Sequence, residues 1–259
     1  MHWHLLLTHT GIILAVIVAY VTVWFVVALF LKRNDVADIA WGLGIALVGM
    51  TTFALAPSLR LEIMAALVLF WGLRLSYHIY KRVAGHSEED YRYAAWRREW
   101  KHFYLRSYGQ VFLLQGFLMI VVGYSLVHVS AFAATPLNAL DLLGVLVWLV
   151  GFAFEVIGDR QLRQFIASKP EKGAVLDTGL WRYSRHPNYF GEVTQWWGIW
   201  LLALSVPYGW IAILSPLAIT FLILKVSGVP MLENKLMQNP AYREYAKRTS
   251  VLVPLPPKY

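Results

Sequence analysis

The residues from Gly11 to Leu31, GIILAVIVAYVTVWFVVALFL, contain no charged side chain. About 20 such residues in an α-helix span the ~30 Å hydrocarbon core of a bilayer, where every backbone N–H and C=O must be satisfied within the segment. Apolar runs recur at about Val36–Ala56, Leu61–Tyr80, Ser107–Val129, Leu140–Ile157, Val193–Val206 and Trp210–Lys225. A chain patterned this way is expected to be all-α: a polytopic helical membrane protein with about seven transmembrane helices. Composition agrees, because 58% hydrophobic and 15% charged lies outside the range of soluble domains. The absence of cysteine excludes disulfides, thiol nucleophiles and cysteine metal ligands, and no metal site is assigned.

Charge sorts the loops. The net charge is +8, and of the 23 Lys and Arg all but Arg60 and Arg74 fall at 32–33, 81–106, 158–190 and from 225 onward. With alternating spans these loops share one side, so the positive-inside rule puts the N-terminus outside and the C-terminus in the cytosol. Cations placed like this meet anionic membrane lipids, and no nucleic-acid partner is expected. The opening MHWHLLLTHT has no Lys or Arg, so no signal peptide is expected. No internal repeat or linker divides the chain, and residues 1–259 read as a single membrane domain.

Polar residues inside apolar spans are costly, which makes them informative. Asp38 opens the second span in DIAWGLG. In the third, WGLRLSYHIYKR sets Arg74, Tyr77 and His78 at i, i+3 and i+4, on one face expected to point into the bundle. Tyr77 and His78 are candidate ligand or proton-donor residues there, with Tyr77 as the donor and His78 or Asp38 tuning it. The plainer alternative pairs Asp38 with Arg74. Glu155 and Asp159 end the fifth span in EVIGDRQLRQF. Asp159 and Arg163 are either an i, i+4 ion pair or a site where Arg163 meets phosphate and Asp159 accepts from a ribose hydroxyl or amide. Within 81–106, Trp96, Trp100 and Phe103 recur at helical spacing among cations. That segment is expected to be an amphipathic surface helix, or else a cap over a cofactor.

The densest polar stretch is Gly179–Glu192, GLWRYSRHPNYFGE, set directly before an apolar run. Arg and Tyr suit a membrane interface, and they equally suit a grip on a large anionic ligand. No GxGxxG follows a strand, so a Rossmann site is excluded and any nucleotide pocket must be built from helix ends and loops.

DIAWGLG, WGLRLSYHIYKR, DRQLRQF, GLWRYSRHPNYFGEVTQWWG and YREYAKRTSVLVP together resemble the steroid 5-alpha-reductase-like membrane family, in its bacterial DUF1295 branch. RHPNY followed by GE also resembles sterol reductases and isoprenylcysteine carboxyl methyltransferases. The resemblance implies a bacterial inner-membrane protein whose C-terminal half, about 140–259, holds NADPH at the cytosolic face. The half from about 1 to 130 would take a lipophilic substrate from the bilayer. It assigns cofactor contacts to Asp159, Arg163, Tyr183, Arg185, His186, Asn188, Tyr189, Glu192, Glu233, Tyr242 and Arg243. It also assigns carbonyl polarisation to Tyr77. The adjacent Gln-Glu pair of the steroid reductases is absent from the second span, and no second arginine closely follows Arg163. Cofactor binding therefore carries over better than steroid specificity.

The chemistry this implies is hydride delivery to the β-carbon of a polarised alkene, with a donor stabilising the developing enolate. Two rivals stand beside it: a methyltransferase using S-adenosylmethionine, and a non-enzymatic lipid-binding or transport protein.

Overall fold

The computed structural model describes residues 2–132 and 135–258, and no strand forms among them. Twelve α-helices carry the chain: α1 His2–Leu31, α2 Val36–Leu55, α3 Leu59–Ala84, α4 Tyr91–Glu99, α5 Phe103–Ser107, α6 Leu114–Val122, α7 Tyr124–Ala131, α8 Ala139–Ala167, α9 Pro187–Ala203, α10 Leu214–Phe221, α11 Val229–Leu236 and α12 Pro240–Arg248. Among the described residues, five stretches are long and apolar enough to cross a membrane: Trp3–Leu31, Val36–Leu55, Phe103–Val122, Ala139–Ala167 and Gly209–Leu236. The other two expected spans exist as helices but fall short for physical reasons. α3 carries Arg74, His78, Lys81 and Arg82 in its last turns, and α9 is only 17 residues long. The protein is a polytopic helical membrane protein.

Contacts divide the chain into two units, Met1–Asn138 with Ala203–Ser215, and Ala139–Leu202 with Pro216–Tyr259. In the first, α2 and α3 approach until Gly42 and Gly72 touch backbone to backbone. A Cβ on Gly42 would lie 2.7 Å from the Gly72 carbonyl oxygen. Ser76, one turn on from Gly72, donates to the Ile39 carbonyl at 2.8 Å and accepts from the Leu43 N–H at 3.1 Å, so its hydroxyl rides on a helical rung of α2. Small residues at such spacing let membrane helices pack by dispersion and local hydrogen bonds rather than by expelling water. The buried face of α3 is therefore Trp71, Gly72 and Ser76. This corrects the expectation for Tyr77 and His78: both are exposed, Tyr77 at 58%, with the Lys81 ammonium 4.7 Å from its ring centre.

Two further expectations change. The span expected over Ser107–Val129 is not one regular helix. It runs through a π-helical turn at Tyr108–Leu113 and breaks at Gly123 between α6 and α7. The 81–106 segment is not one amphipathic helix either, because α4 stops at Trp100 and His102 turns left-handed (φ 58°) before α5. Its charges are drawn inward. Arg33 grips Asp35 through two bonds of 2.8 Å, Arg97 grips Glu89 through two of 3.0 Å, and Arg92 donates to Asp38 at 3.0 Å and to Asp90 at 2.8 Å. Burial would raise the Asp90 carboxyl, but bonds from Arg92 outweigh it and hold the group below its usual range. Trp96 and Trp100 still stack, with ring centres 4.9 Å apart.

In the second unit α8 and α9 meet along glycines. Gly151 and Gly191 are so close that a Cβ on either would sit 2.5–2.6 Å from the other's carbonyl oxygen, and Gly144 and Gly198 repeat the arrangement at 2.7 Å.

Candidate functional site

The glycine seam brings polar side chains on α8 and α9 face to face. Asn188 donates to Asp159 at 3.1 Å, and one notch deeper Gln195 donates to Glu155 at 2.6 Å. Asp159 and Glu155 are both buried. The two amide carbonyl oxygens, Asn188 Oδ1 and Gln195 Oε1, are buried and accept no hydrogen bond from the described residues. An acceptor left in this state costs roughly 1–3 kcal/mol, a penalty a ligand donor would relieve. Asp159 thus engages across the helix pair. Arg163, one turn further along α8, is exposed at the polar end of that helix.

The segment leading into α9 is held rigidly. Gly179, with φ +61°, turns the chain into a short 3-10 helix over Gly179–Arg182. Leu180 N–H donates to Gln161 Oε1 at 3.0 Å, and the Trp181 indole donates to the Gly158 carbonyl at 3.1 Å, so this turn is stitched to α8 beside Asp159. The chain beyond α12 then returns across it. Arg185 N–H donates to Ser250 O at 2.8 Å, Ser184 Oγ to Leu252 O at 2.7 Å, and Leu255 N–H to Tyr183 O at 3.0 Å.

At the centre of this strap is a buried ion pair. Arg185 donates from Nε and Nη2 to the two oxygens of Glu233 at 2.6 and 3.0 Å, and from Nη1 to the carbonyls of Ala246 and Thr249 at 2.8 and 3.1 Å. Four of the five guanidinium N–H donors are thereby engaged. Glu233 also accepts from His186 Nε2 at 3.1 Å and from Tyr242 at 3.3 Å. Arg185, expected as a cofactor contact, is here a buried guanidinium whose partners tie the segment before α9 to α11 and α12. His186, Glu233 and Tyr242 belong to the same network, acting on each other's positions. Burial pushes the Tyr242 phenol up, and the Glu233 charge adds to it.

Burial also lowers the pKa of His186 below its usual 6.5, more than the Glu233 carboxylate raises it, so the ring is neutral at pH 7. In the unfolded chain the ring recovers its usual value. Stability from this group is therefore present above pH 6.5 and is lost as the pH falls through the folded value, by up to about 1.4 kcal/mol per pH unit. His186→Gln, which keeps an N–H for Glu233, is expected to flatten the dependence of thermal stability on pH below 6.5. An unchanged slope would assign that acid sensitivity to other groups.

The remaining expected contacts are more open. Tyr183 is 42% exposed, Tyr189 is half-buried and stacks on His186 at 5.5 Å, Glu192 is half-buried, and Arg243 is exposed on α12. Asp38 lies in the first unit, accepting from Tyr93 at 2.7 Å and from Arg92 at 3.0 Å. Sequence reasoning missed Gln195, although a glutamine within VTQWWG, two turns after Asn188, was a legible signal. It also missed Tyr245, whose buried hydroxyl donates to the Trp181 carbonyl.

Helices packed on a glycine seam with amide–carboxylate pairs in it, closed at one end by a polar strap, define a polytopic membrane protein with a preformed polar site in its second unit. The chain belongs to the DUF1295 family: the family described as "Protein of unknown function (DUF1295)" matches residues 24–249. It is also 25% identical over 155 residues to the protein named 3-oxo-5-alpha-steroid 4-dehydrogenase 2 of Sus scrofa, a match covering 58% of each chain. The chain thus spans less than two thirds of that relative's length. No solved structure matches significantly.

Proposed function

We propose that this protein is a membrane-embedded, NADPH-dependent reductase of a polarised C=C bond in a lipophilic substrate. Family membership and the likeness to a protein named as a steroid dehydrogenase support an oxidoreductase. The observation that carries the reading to a site is the orphaned, buried Asn188 Oδ1 beside the Asp159 carboxylate. One unmet acceptor and one carboxylate side by side suit the amide and hydroxyl donors of a dinucleotide.

In this reading Asn188 and Asp159 orient the cofactor, and exposed Arg163 and Arg243 offer guanidinium forks for its phosphates. Tyr183, Tyr189 and Glu192 flank them. The Arg185–Glu233–His186–Tyr242 network holds the segment before α9 in place, so its effect on binding is exerted through position. When bound, NADPH would supply a hydride for the β-carbon, and a proton delivered to the α-carbon would complete the reduction. Tyr77 keeps from the family resemblance its assignment as donor to the substrate oxygen, with His78 and Asp38 as its neighbours in sequence-based expectation. A phenol there stabilises negative charge as it develops, which is where a donor accelerates the reaction.

Calorimetric titration of detergent-purified protein with NADPH, NADH and S-adenosylmethionine tests the assignment. Micromolar NADPH binding, weakened roughly tenfold or more in Asn188→Ala and in Arg163→Ala, is the expected result. Selective binding of S-adenosylmethionine would instead indicate methyl transfer. Binding of none of the three would indicate a lipid-binding or transport protein.

A further inference from the structure

The second unit holds a recess of about 320 Å³ that none of the proposed cofactor contacts lines. Its walls come from three stretches of chain: Asp177, Thr178 and Arg182 before α9, Arg248 at the end of α12, and Lys258 in the returning tail. We propose that this recess binds a phosphate monoester, independently of the reductase reading.

Charge is the first argument. Three cations face a single carboxylate, and that carboxylate, Asp177, is taken by Arg248 at 2.6 Å. Among the described residues neither Arg182 nor Lys258 has a side-chain hydrogen bond or ion pair. The lining is left with two uncompensated positive charges, which match the −1.5 to −2 carried by a phosphate monoester near neutral pH.

Rigidity is the second argument. Lys258 N–H donates to the Arg248 carbonyl at 2.9 Å, locking the tail to the end of α12. Gly179 lies so tightly on Gln161 that a Cβ there would overlap its side chain, and the Arg182 turn is stitched to α8 through Leu180 and Trp181. The backbone that carries the cations is therefore fixed around the recess, and Thr178 lines it as well. Asp177 acts as an internal competitor: an incoming phosphate must share Arg248 with it.

That competition gives a test no folding defect can imitate. Detergent-purified full-length protein would be titrated calorimetrically with adenosine 2′-monophosphate, with short-chain phosphatidic acid and with inorganic phosphate. Arg182→Gln is expected to weaken binding roughly tenfold. Asp177→Asn, which removes the competitor, is expected to tighten it roughly threefold or more. Asn188→Ala is expected to leave it unchanged, which separates this site from the proposed cofactor contacts. The pattern with adenosine 2′-monophosphate would identify a nucleotide phosphate as the source, and with phosphatidic acid a lipid headgroup. The proposal is overturned if no monoester binds, or if neither Arg182→Gln nor Asp177→Asn changes the affinity.

Discussion

Glu233→Ala is expected to destabilise the second unit by about 3–5 kcal/mol, the range found when one partner of a buried pair is removed and the other is left charged. The Arg185 side chain is only 8% exposed and that of Glu233 15%, so water cannot replace the lost carboxylate. Both carbonyls on Arg185 Nη1 would remain bonded, but the two donors facing Glu233 would not. His186 and Tyr242 would lose the same acceptor. A double variant, Arg185→Met with Glu233→Leu, is expected to recover part of the loss, because it removes the stranded charge as well. Full recovery is not expected, since Ala246 and Thr249 would lose their donor. Thermal unfolding in detergent distinguishes these outcomes. A single variant as stable as the parent would show that the pair is not what holds the strap.

The second large effect lies at the helix seam. Gly191→Ala places a methyl carbon 2.5 Å from both the Glu155 nitrogen and the Gly151 carbonyl oxygen, and 2.9 Å from Glu155 Cα. These are backbone atoms, so no rotamer change makes room and α8 must move from α9. Overpacking of this kind costs about 1–3 kcal/mol, and more where backbone must shift. The shift also lengthens both amide–carboxylate bonds that flank the glycine, Asn188–Asp159 and Gln195–Glu155. Under the proposed function, NADPH affinity is therefore expected to fall together with thermal stability. Gly11→Ala is the control, because no atom lies within 4 Å of a Cβ there and stability is expected to be unchanged or slightly higher.

Much of this architecture was legible because membrane helices announce themselves by length and apolarity. The start of α2 at Val36 falls where the charged Lys32–Asp35 turn places it, and the polar density of Gly179–Glu192 marked the segment that the structure fixes most tightly. What could not be read was who partners whom. Arg185 and Glu233 are 48 residues apart, and no spacing rule joins a loop to a helix at that distance. Arginine beside histidine and asparagine therefore looked like an anion grip when its guanidinium was committed inward.

Helical periodicity showed correctly that Arg74, Tyr77 and His78 share a face, but periodicity does not say which face turns inward. Gly72 and Ser76 did carry that information, since small residues four apart mark where a neighbouring helix comes close. The inward draw of Glu89, Arg92 and Arg97 toward Lys32–Asp38 was likewise hidden, because each partner lies more than fifty positions away.

The strap has a consequence for the order in which the protein is made. The Ser184–Arg185 segment finds its hydrogen-bond partners at Thr249, Ser250 and Leu252, and Arg185 and Thr249 are separated by 64 positions. A ribosome adding roughly 5–20 residues per second needs several seconds to deliver them. For that interval α8 and α9 can already be inserted and paired while the Arg185 side chain waits without its acceptors. The strap is therefore completed only after α9 to α12 have been synthesised.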